Sequence, residues 1–497
     1  MGRWPRVRLE GVACFERETD LRLPFRFGAA TLTRATQAVV RVTLARDDGR
    51  TATGVAAETL AVKWFDKNPA LSDAENLIQL RQALALAIRL YGAQGWSTPF
   101  GLYAATYRAQ RDGGAELGLA PLVSGFGPAL LDRAILDALG RTMQQSFAQM
   151  IAGNAPGITS VGELVPDLAG FDVDAFLRRL SPGASIAVRH TVGLLDPLVA
   201  GDQEPHQRRH DGLPETLEEV VHRYRGRYYK LKLGGDIGSD LDRLTRIAAV
   251  LDRTAGAYRV TLDGNEQYPS AAAVGELWRR AQERPALTQL IAATLFIEQP
   301  IGRNEALTAS VAELARDRPL LIDESDGELD AFPAAVALGY TGVSSKGCKG
   351  LYKALLNAAR IARLNALSER GHCRYFMSAE DLTTLAGVSV QQDLALAAQL
   401  GMTHVERNGH HFVDGMSFAP EAEQAAFARA HPDLYTRAGG HTRLAIAHGR
   451  VRLSSLAGPG FAVAAAMDFA AMRPMLAPPP ARTSDAGRGH SSSSGQR

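Results

Sequence analysis

The chain has 497 residues, 46% apolar and 22% charged, long enough to bury a large core without disulfide or metal staples. Its 55 basic and 53 acidic side chains leave a formal charge of +2, which excludes the charge asymmetry of a nucleic-acid or membrane surface. Three cysteines in so long a chain give no disulfide framework and no metal-ligand spacing, so reduced thiols in a cytoplasmic protein are expected.

The predicted elements begin with an α+β domain over residues 1–150. No apolar run of signal-peptide length follows Arg3, Arg6 and Arg8. Residues 38–45 (AVVRVTLA) alternate as a half-buried strand does, Asp47, Asp48 and Gly49 signal a turn, and a second strand is expected near 54–60. Apolar periodicity predicts helices over about 74–90 and 129–151. From about residue 184 to 450 the texture changes. Short apolar runs (SIAVRH, YYKLKL, YRVTL, TLFIE, PLLI, GVSS, CRYFM, THVE) alternate with helical stretches. Eight strands with helices between them predict a parallel α/β sheet, either closed as a barrel or open and doubly wound. A further segment spans 451–477. Residues 478–497, rich in Pro, Ser and Gly, are expected to be disordered.

At the C-terminal ends of five successive strand candidates stand Lys232, Asp263, Glu298, Asp323 and Lys346, spaced close to the ~31 residues of a typical βα unit. Barrel enzymes keep their catalytic groups at these ends, and a charge directly after a buried apolar run is costly unless paired or metal-bound. Singly, each has a plain reading: Lys230 and Lys232 as solvated side chains of an edge strand, Asp263-Gly264-Asn265 as a turn, Asp323 as part of a helix cap. Five in step predict a site. Three carboxylates converging from adjacent strands repel one another and call for a cation, and an all-oxygen set suits Mg²⁺ or Mn²⁺. The lysines flank the carboxylate arc, and a lysine near a metal ion and a second lysine has its ammonium form disfavoured and can act as a base. A cation to neutralise an enolate oxygen plus a poised base suits abstraction of the proton α to a carboxylate.

The segments YYKLKL, TLDGNEQY, FIEQP, LIDES and SSKGCKG resemble, in that order, the barrel motifs of the enolase superfamily, most closely those of its muconate-lactonizing (cycloisomerase) subgroup. The resemblance implies a modified (β/α)8 TIM-like barrel of the α/β class with an N-terminal α+β capping domain. It implies Lys232 as base, Lys346 as the lysine of the opposite face, Asp263, Glu298 and Asp323 as ligands of Mg²⁺ (or Mn²⁺), and Lys230 and Asn265 beside the substrate. PFRFGAATLTR resembles the mobile specificity loop of the cap, FGPALLDRAILDALGRTM the helix from cap to barrel, and the chain through GPGFAVAA the segment that returns to the cap. The implied activity is that of an isomerase or lyase: racemisation or epimerisation, cycloisomerisation or dehydration of a small carboxylate substrate. A homo-oligomer with no nucleic-acid or membrane partner is expected. The alternative is a catalytically silent barrel used for binding, which loss of a ligand or lysine would have signalled. Two departures narrow the substrate. Strand eight ends in Val405-Glu406-Arg407-Asn408-Gly409 instead of the Asp-x-Asp of dipeptide epimerases, and strand six carries lysine instead of the histidine of the mandelate-racemase subgroup.

Several neighbours are weighed against simpler fates. Glu380 and Asp381 follow strand seven, where facing the substrate and capping a helix are equally open. Lys349 and Lys353 are read as the solvated side of a helix, Glu324 as a cap or a partner of Lys346, and Cys348 as a small filler. His410 and His411 are expected to point to opposite faces of a strand. Trp64 and Phe65 either line the cap side of the pocket or pack in a core.

Overall fold

The computed structural model describes residues 4–28, 30–159, 161–368 and 374–478; Cys373 and the predicted tail beyond Pro478 lie outside them. Strands β1 (Val7–Phe27), β2 (Ala30–Arg46) and β3 (Thr51–Thr59) form an antiparallel N-terminal sheet. The helices Asp73–Gly92 and Phe126–Met143 cover one face of it. Contact is close because Gly54 carries no side chain: a Cβ there would lie 2.2 Å from the Ala134 carbonyl oxygen. The first helix starts at Ser72, whose hydroxyl and Glu75 form a capping box.

The structure differs from the local expectations at two points. The helix expected over 129–151 is two helices. Phe126–Met143 stops at Gln144, which takes φ 54°, and Ser146 caps a new helix, Phe147–Ala152. The segment that resembles the specificity loop lies at the end of the β1–β2 hairpin, where Phe27 pairs with Ala30 and Gly28 takes φ 53°. The long strand β1 and the helix Pro99–Glu116 form where no element was expected. Register shifts at Leu9/Gly11 and Asp20/Phe25 interrupt the alternation of β1 that would have marked it.

Eight parallel strands follow: β4 (Ser185–Val192), β5 (Tyr228–Lys232), β6 (Arg259–Asp263), β7 (Thr294–Glu298), β8 (Leu320–Ile322), β9 (Gly342–Ser345), β10 (Phe376–Ala379) and β11 (His404–Arg407). Pairing of β11 with β4 closes them into a barrel, which removes the open-sheet alternative. Strand alternation sorts the side chains. Tyr229, Leu231, Val260, Leu262 and Ile297 join an apolar core with the surrounding helices, whereas Lys230, Lys232, Asp263 and Glu298 take the other face. A hairpin, β12 (Tyr435–Ala438) and β13 (His441–Leu444), comes next. Then β14 (Arg450–Arg452) pairs antiparallel with β4, and β15 (Arg473–Pro474) returns to the N-terminal sheet beside Phe15 and Glu16 of β1. Among the described residues no helix is long and apolar enough to cross a membrane.

Candidate active site

Parallel register sets the site. Lys232 lies beside Asp263 and Asp263 beside Glu298, while Asp323 and Lys346 directly follow β8 and β9. All five are buried at the C-terminal end of the barrel. The cap closes over them. The hairpin tip meets the loop after β6, where a Cβ on Gly28 would stand 2.7 Å from Gln267 Nε2. The helix Val62–Phe65 brings the Trp64 ring to 4.2 Å from Lys346 Nζ, and Lys67 donates to the Asn265 carbonyl at 2.7 Å. Arg303 ties the same cap segment down through the Trp64 and Phe65 carbonyls and Glu266.

The charges pair as two groups. Lys230 Nζ lies 2.7–3.0 Å from carboxylate oxygens of Asp263, Glu298, Glu380 and Glu406. Lys232 Nζ reaches Asp263 Oδ2 at 2.6 Å. On the other side Lys346 Nζ reaches Asp323 Oδ2 at 2.6 Å, and Ser344 Oγ donates to Asp323 Oδ1. This departs from the expectation that Asp263, Glu298 and Asp323 surround one point. Among the described residues no three His, Cys, Asp or Glu side chains stand together as a metal-holding group. The reason is electrostatic: each carboxylate has a lysine within reach, and turning onto that cation lowers the cost of its burial.

Lys346 and Lys230 are likewise held as ammonium ions. Burial lowers the Lys346 pKa, but the charges of Asp323, Glu298 and Glu324 together raise it. The four carboxylates do the same for Lys230. Asp323 is held well below the ordinary carboxylate range against its burial by Lys346 and Lys349, and Asp263 is lowered by Lys230 and Lys232. Glu298 goes the other way: burial and the charges of Asp263 and Glu380 push it well up.

Glu380 faces inward, held by Arg189 of β4, Ser378 and Lys230, and Arg189 and Lys230 bring its pKa down to about 2 against burial. Asp381 instead accepts from the Leu382, Thr384 and Asn408 N–H groups and from Arg407, which makes it a brace for the loop. Asn265 donates to Glu324 Oε1 at 3.1 Å, so Glu324 neither bonds Lys346 nor caps a helix. Lys349 and Lys353, expected in solvent, are buried on Asp326, and Lys349 also reaches Ser344 Oγ at 2.7 Å. His410 and His411 lie on a short helix, not a strand, and both rings pack against His190. Cys348 is buried and its thiol pKa is pushed up, as befits a filler.

Four participants escaped the sequence reading: Glu406, Arg189, Lys349 and Lys67. For Glu406 the signal was present, since it ends strand eight as the other carboxylates end theirs. Arg189 sits mid-strand, and Lys67 comes from another domain, so neither carried a local mark.

No family model matches the chain, and no curated protein matches it. Solved structures do. An enolase from Bradyrhizobium, complexed with magnesium and mandelic acid, is 16% identical with a TM-score of 0.58, over 95% of this chain and 98% of that one. A muconate lactonizing enzyme from Pseudomonas fluorescens, complexed with muconolactone, is 16% identical with a TM-score of 0.57, over 93% and 98%. A member of the enolase superfamily from Roseovarius nubinhibens is 18% identical with a TM-score of 0.55, over 95% and 99%. At these identities the likeness is one of fold, and the chain has the fold of these proteins: a modified TIM barrel beneath an antiparallel capping domain.

Proposed function

We propose that the protein is a Mg²⁺-dependent isomerase or lyase that removes the proton α to a substrate carboxylate. The observation that carries this reading is the row Lys232, Asp263, Glu298, Asp323 and Lys346 at the C-terminal ends of five consecutive barrel strands, buried under one cap. The likeness in fold to an enolase complexed with magnesium and mandelic acid supports it.

The donor set fits a hard divalent cation. Asp263, Glu298 and Asp323 are oxygen donors on adjacent strands, and four carboxylates share the single ammonium of Lys230. Asp263, Glu298 and Asp323 would hold the ion, which supplies positive charge to the developing enolate and takes up carboxylate charge now spent on the lysines. Lys232, freed of Asp263, accepts the α-proton at Nζ. Lys346, across the carboxylate arc, returns a proton to the other face in an epimerisation or stays protonated and acts by charge in a cycloisomerisation or dehydration. Lys230 and Asn265 orient the substrate carboxylate, and Trp64 and the hairpin tip exclude water.

Incubation with Mg²⁺ and a panel of chiral carboxylic acids in D₂O tests this. Solvent deuterium should appear at the α-carbon of at least one acid and not in the presence of EDTA. Exchange that persists without divalent cation, or none with any acid, would overturn the reading.

A further inference from the structure

The opposite end of the barrel carries a concentration of arginines and histidines that the chemistry above does not use. A cavity of about 630 Å³ opens there, within the usual range of small-ligand sites, between the starts of β4 and β5 and the turn before β14. Arg225, Arg227, Arg450, His222 and His448 line it, and no Asp or Glu does. Arg450 donates to Ser185. Among the described residues Arg225, Arg227, His222 and His448 have no ion pair or side-chain hydrogen bond. Other surface arginines do pair with carboxylates, Arg279 with Glu276 and Arg253 with Glu218. Like charges gathered without partners around a concavity raise the free energy of the bare chain, and an anion relieves that cost.

The backbone supplies a second, independent observation. Arg225 and His448 both hold left-handed conformations, φ 51° and 50°, which side-chain-bearing residues adopt at a cost. Two turns locked together impose them. Gly449 N–H donates to the Tyr224 carbonyl, and a Cβ on Gly449 would lie 2.6 Å from Gly226 Cα, so only glycine permits the crossing. Glycine or asparagine would also sit more easily at 225 and 448, yet the chain places an arginine and a histidine there. Tyr228, stacked on His404 with ring centroids 4.6 Å apart, adds a rigid aromatic wall.

We infer that this cavity binds a small polyphosphate-bearing anion. Guanidinium groups pair with phosphate oxygens through two parallel N–H donors, and two or three arginines converging on one volume suit adjacent phosphates better than a single carboxylate. The site lies at the N-terminal end of the strands, away from the end that barrel enzymes use for catalysis, so its occupant is not the substrate.

Calorimetric titration of the full-length chain with pyrophosphate, adenosine triphosphate and citrate tests the inference. Pyrophosphate or the nucleotide should bind, and more weakly as ionic strength rises. Arg225→Asn, which tolerates the left-handed backbone, and Arg227→Gln should each weaken binding roughly tenfold or more, as expected for a lost charge-assisted bond. Arg279→Gln should leave it unchanged. The thermal midpoints of the ligand-free variants should match the parent, which separates a lost site from a lost fold. Tighter binding of the nucleotide than of pyrophosphate assigns the site to nucleotides, and the reverse assigns it to inorganic polyphosphate. Absence of binding to both, affinities unchanged in both variants, or citrate binding as tightly as pyrophosphate would overturn the inference.

Discussion

The Lys346 ammonium stands 4.2 Å from the centre of the Trp64 ring, so a side chain of the N-terminal domain covers this lysine at the barrel mouth. Trp64 is buried and stacks edge-on against Phe65, which in turn meets Phe126. A desolvated cation–π contact contributes about 2 kcal/mol, and truncating a buried aromatic costs about 3–5 kcal/mol. Trp64→Ala should therefore lower unfolding free energy by that larger amount in urea titrations, and Trp64→Phe by clearly less. Equal losses would show that the ring's contact with Lys346 and its packing are not what Trp64 contributes.

The two lysines should separate in isotope exchange. Lys232→Ala and Lys346→Ala should each slow α-proton exchange by roughly 10²–10⁴-fold. In an epimerase each variant loses exchange from one stereoisomer and keeps some from the other. In a cycloisomerase or dehydratase only one lysine is the base, and arginine in place of the other preserves part of the rate. Smaller losses at both positions, in protein that still binds Mg²⁺, would place the base elsewhere.

The barrel was legible because its strands are short apolar runs punctuated by charges, and a charge at a strand end marks both the boundary and the mouth. Lys232, Asp263 and Glu298 illustrate this: each ends its strand and each faces inward. What stayed hidden depends on contacts across long sequence separations. Lys67 meets Glu266 and Glu324, and Arg189 meets Glu380, through pairings that no local pattern encodes. Lys349 and Lys353 follow the pattern of a solvated helix face. They are buried only because Asp326 and the cap helices pack above them. Which lysine each of the three carboxylates meets is hidden for the same reason, since nothing local indicates the choice.

Acid should destabilise the fold from near neutrality. Burial lowers the His190 pKa to about 3, and burial with the Arg189 charge lowers His404 to about 3. An unfolded histidine titrates near ~6.5, so between those values the unfolded chain binds a proton that the folded chain refuses. The histidine contribution is whole above that unfolded value and is lost as pH falls through the window, by about 1.4 kcal/mol per unit per group. Urea midpoints measured from pH 8 downward should show this slope, and His190→Gln should reduce it. An unchanged slope in that variant would remove His190 from the account.

Gly54 is a test of the cap. A methyl group there would meet the Ala134 carbonyl and the Ala138 nitrogen at 2.2 and 2.3 Å, both backbone atoms that cannot turn aside. Gly54→Ala should cost about 1–3 kcal/mol by overpacking and displace the helix Phe126–Met143 from β3. Hydrogen exchange localised to that helix would register the shift, and a variant as stable as the parent would contradict the close approach.

Lys230 holds together the carboxylates that the proposed cation would claim. Its ammonium is within 3.0 Å of Asp263, Glu298, Glu380 and Glu406, all of them buried. Lys230→Met keeps the aliphatic bulk and removes the charge, which leaves the carboxylates facing one another. Breaking a buried ionic cluster from one side costs about 3–5 kcal/mol, so in EDTA the thermal midpoint of the variant should fall well below that of the parent. A divalent cation that binds only the folded state raises stability in proportion to the logarithm of its concentration over its dissociation constant. Mg²⁺ should therefore raise the midpoint of Lys230→Met by more than it raises the parent's, because the Lys230 ammonium no longer competes for Asp263 and Glu298 and only Lys232 remains on Asp263. Adding Glu298→Gln to the variant should remove most of that response, while sodium chloride at matched ionic strength should give none in either protein. A Mg²⁺ response that survives the loss of Glu298 would show that these carboxylates are not the ones that hold the ion.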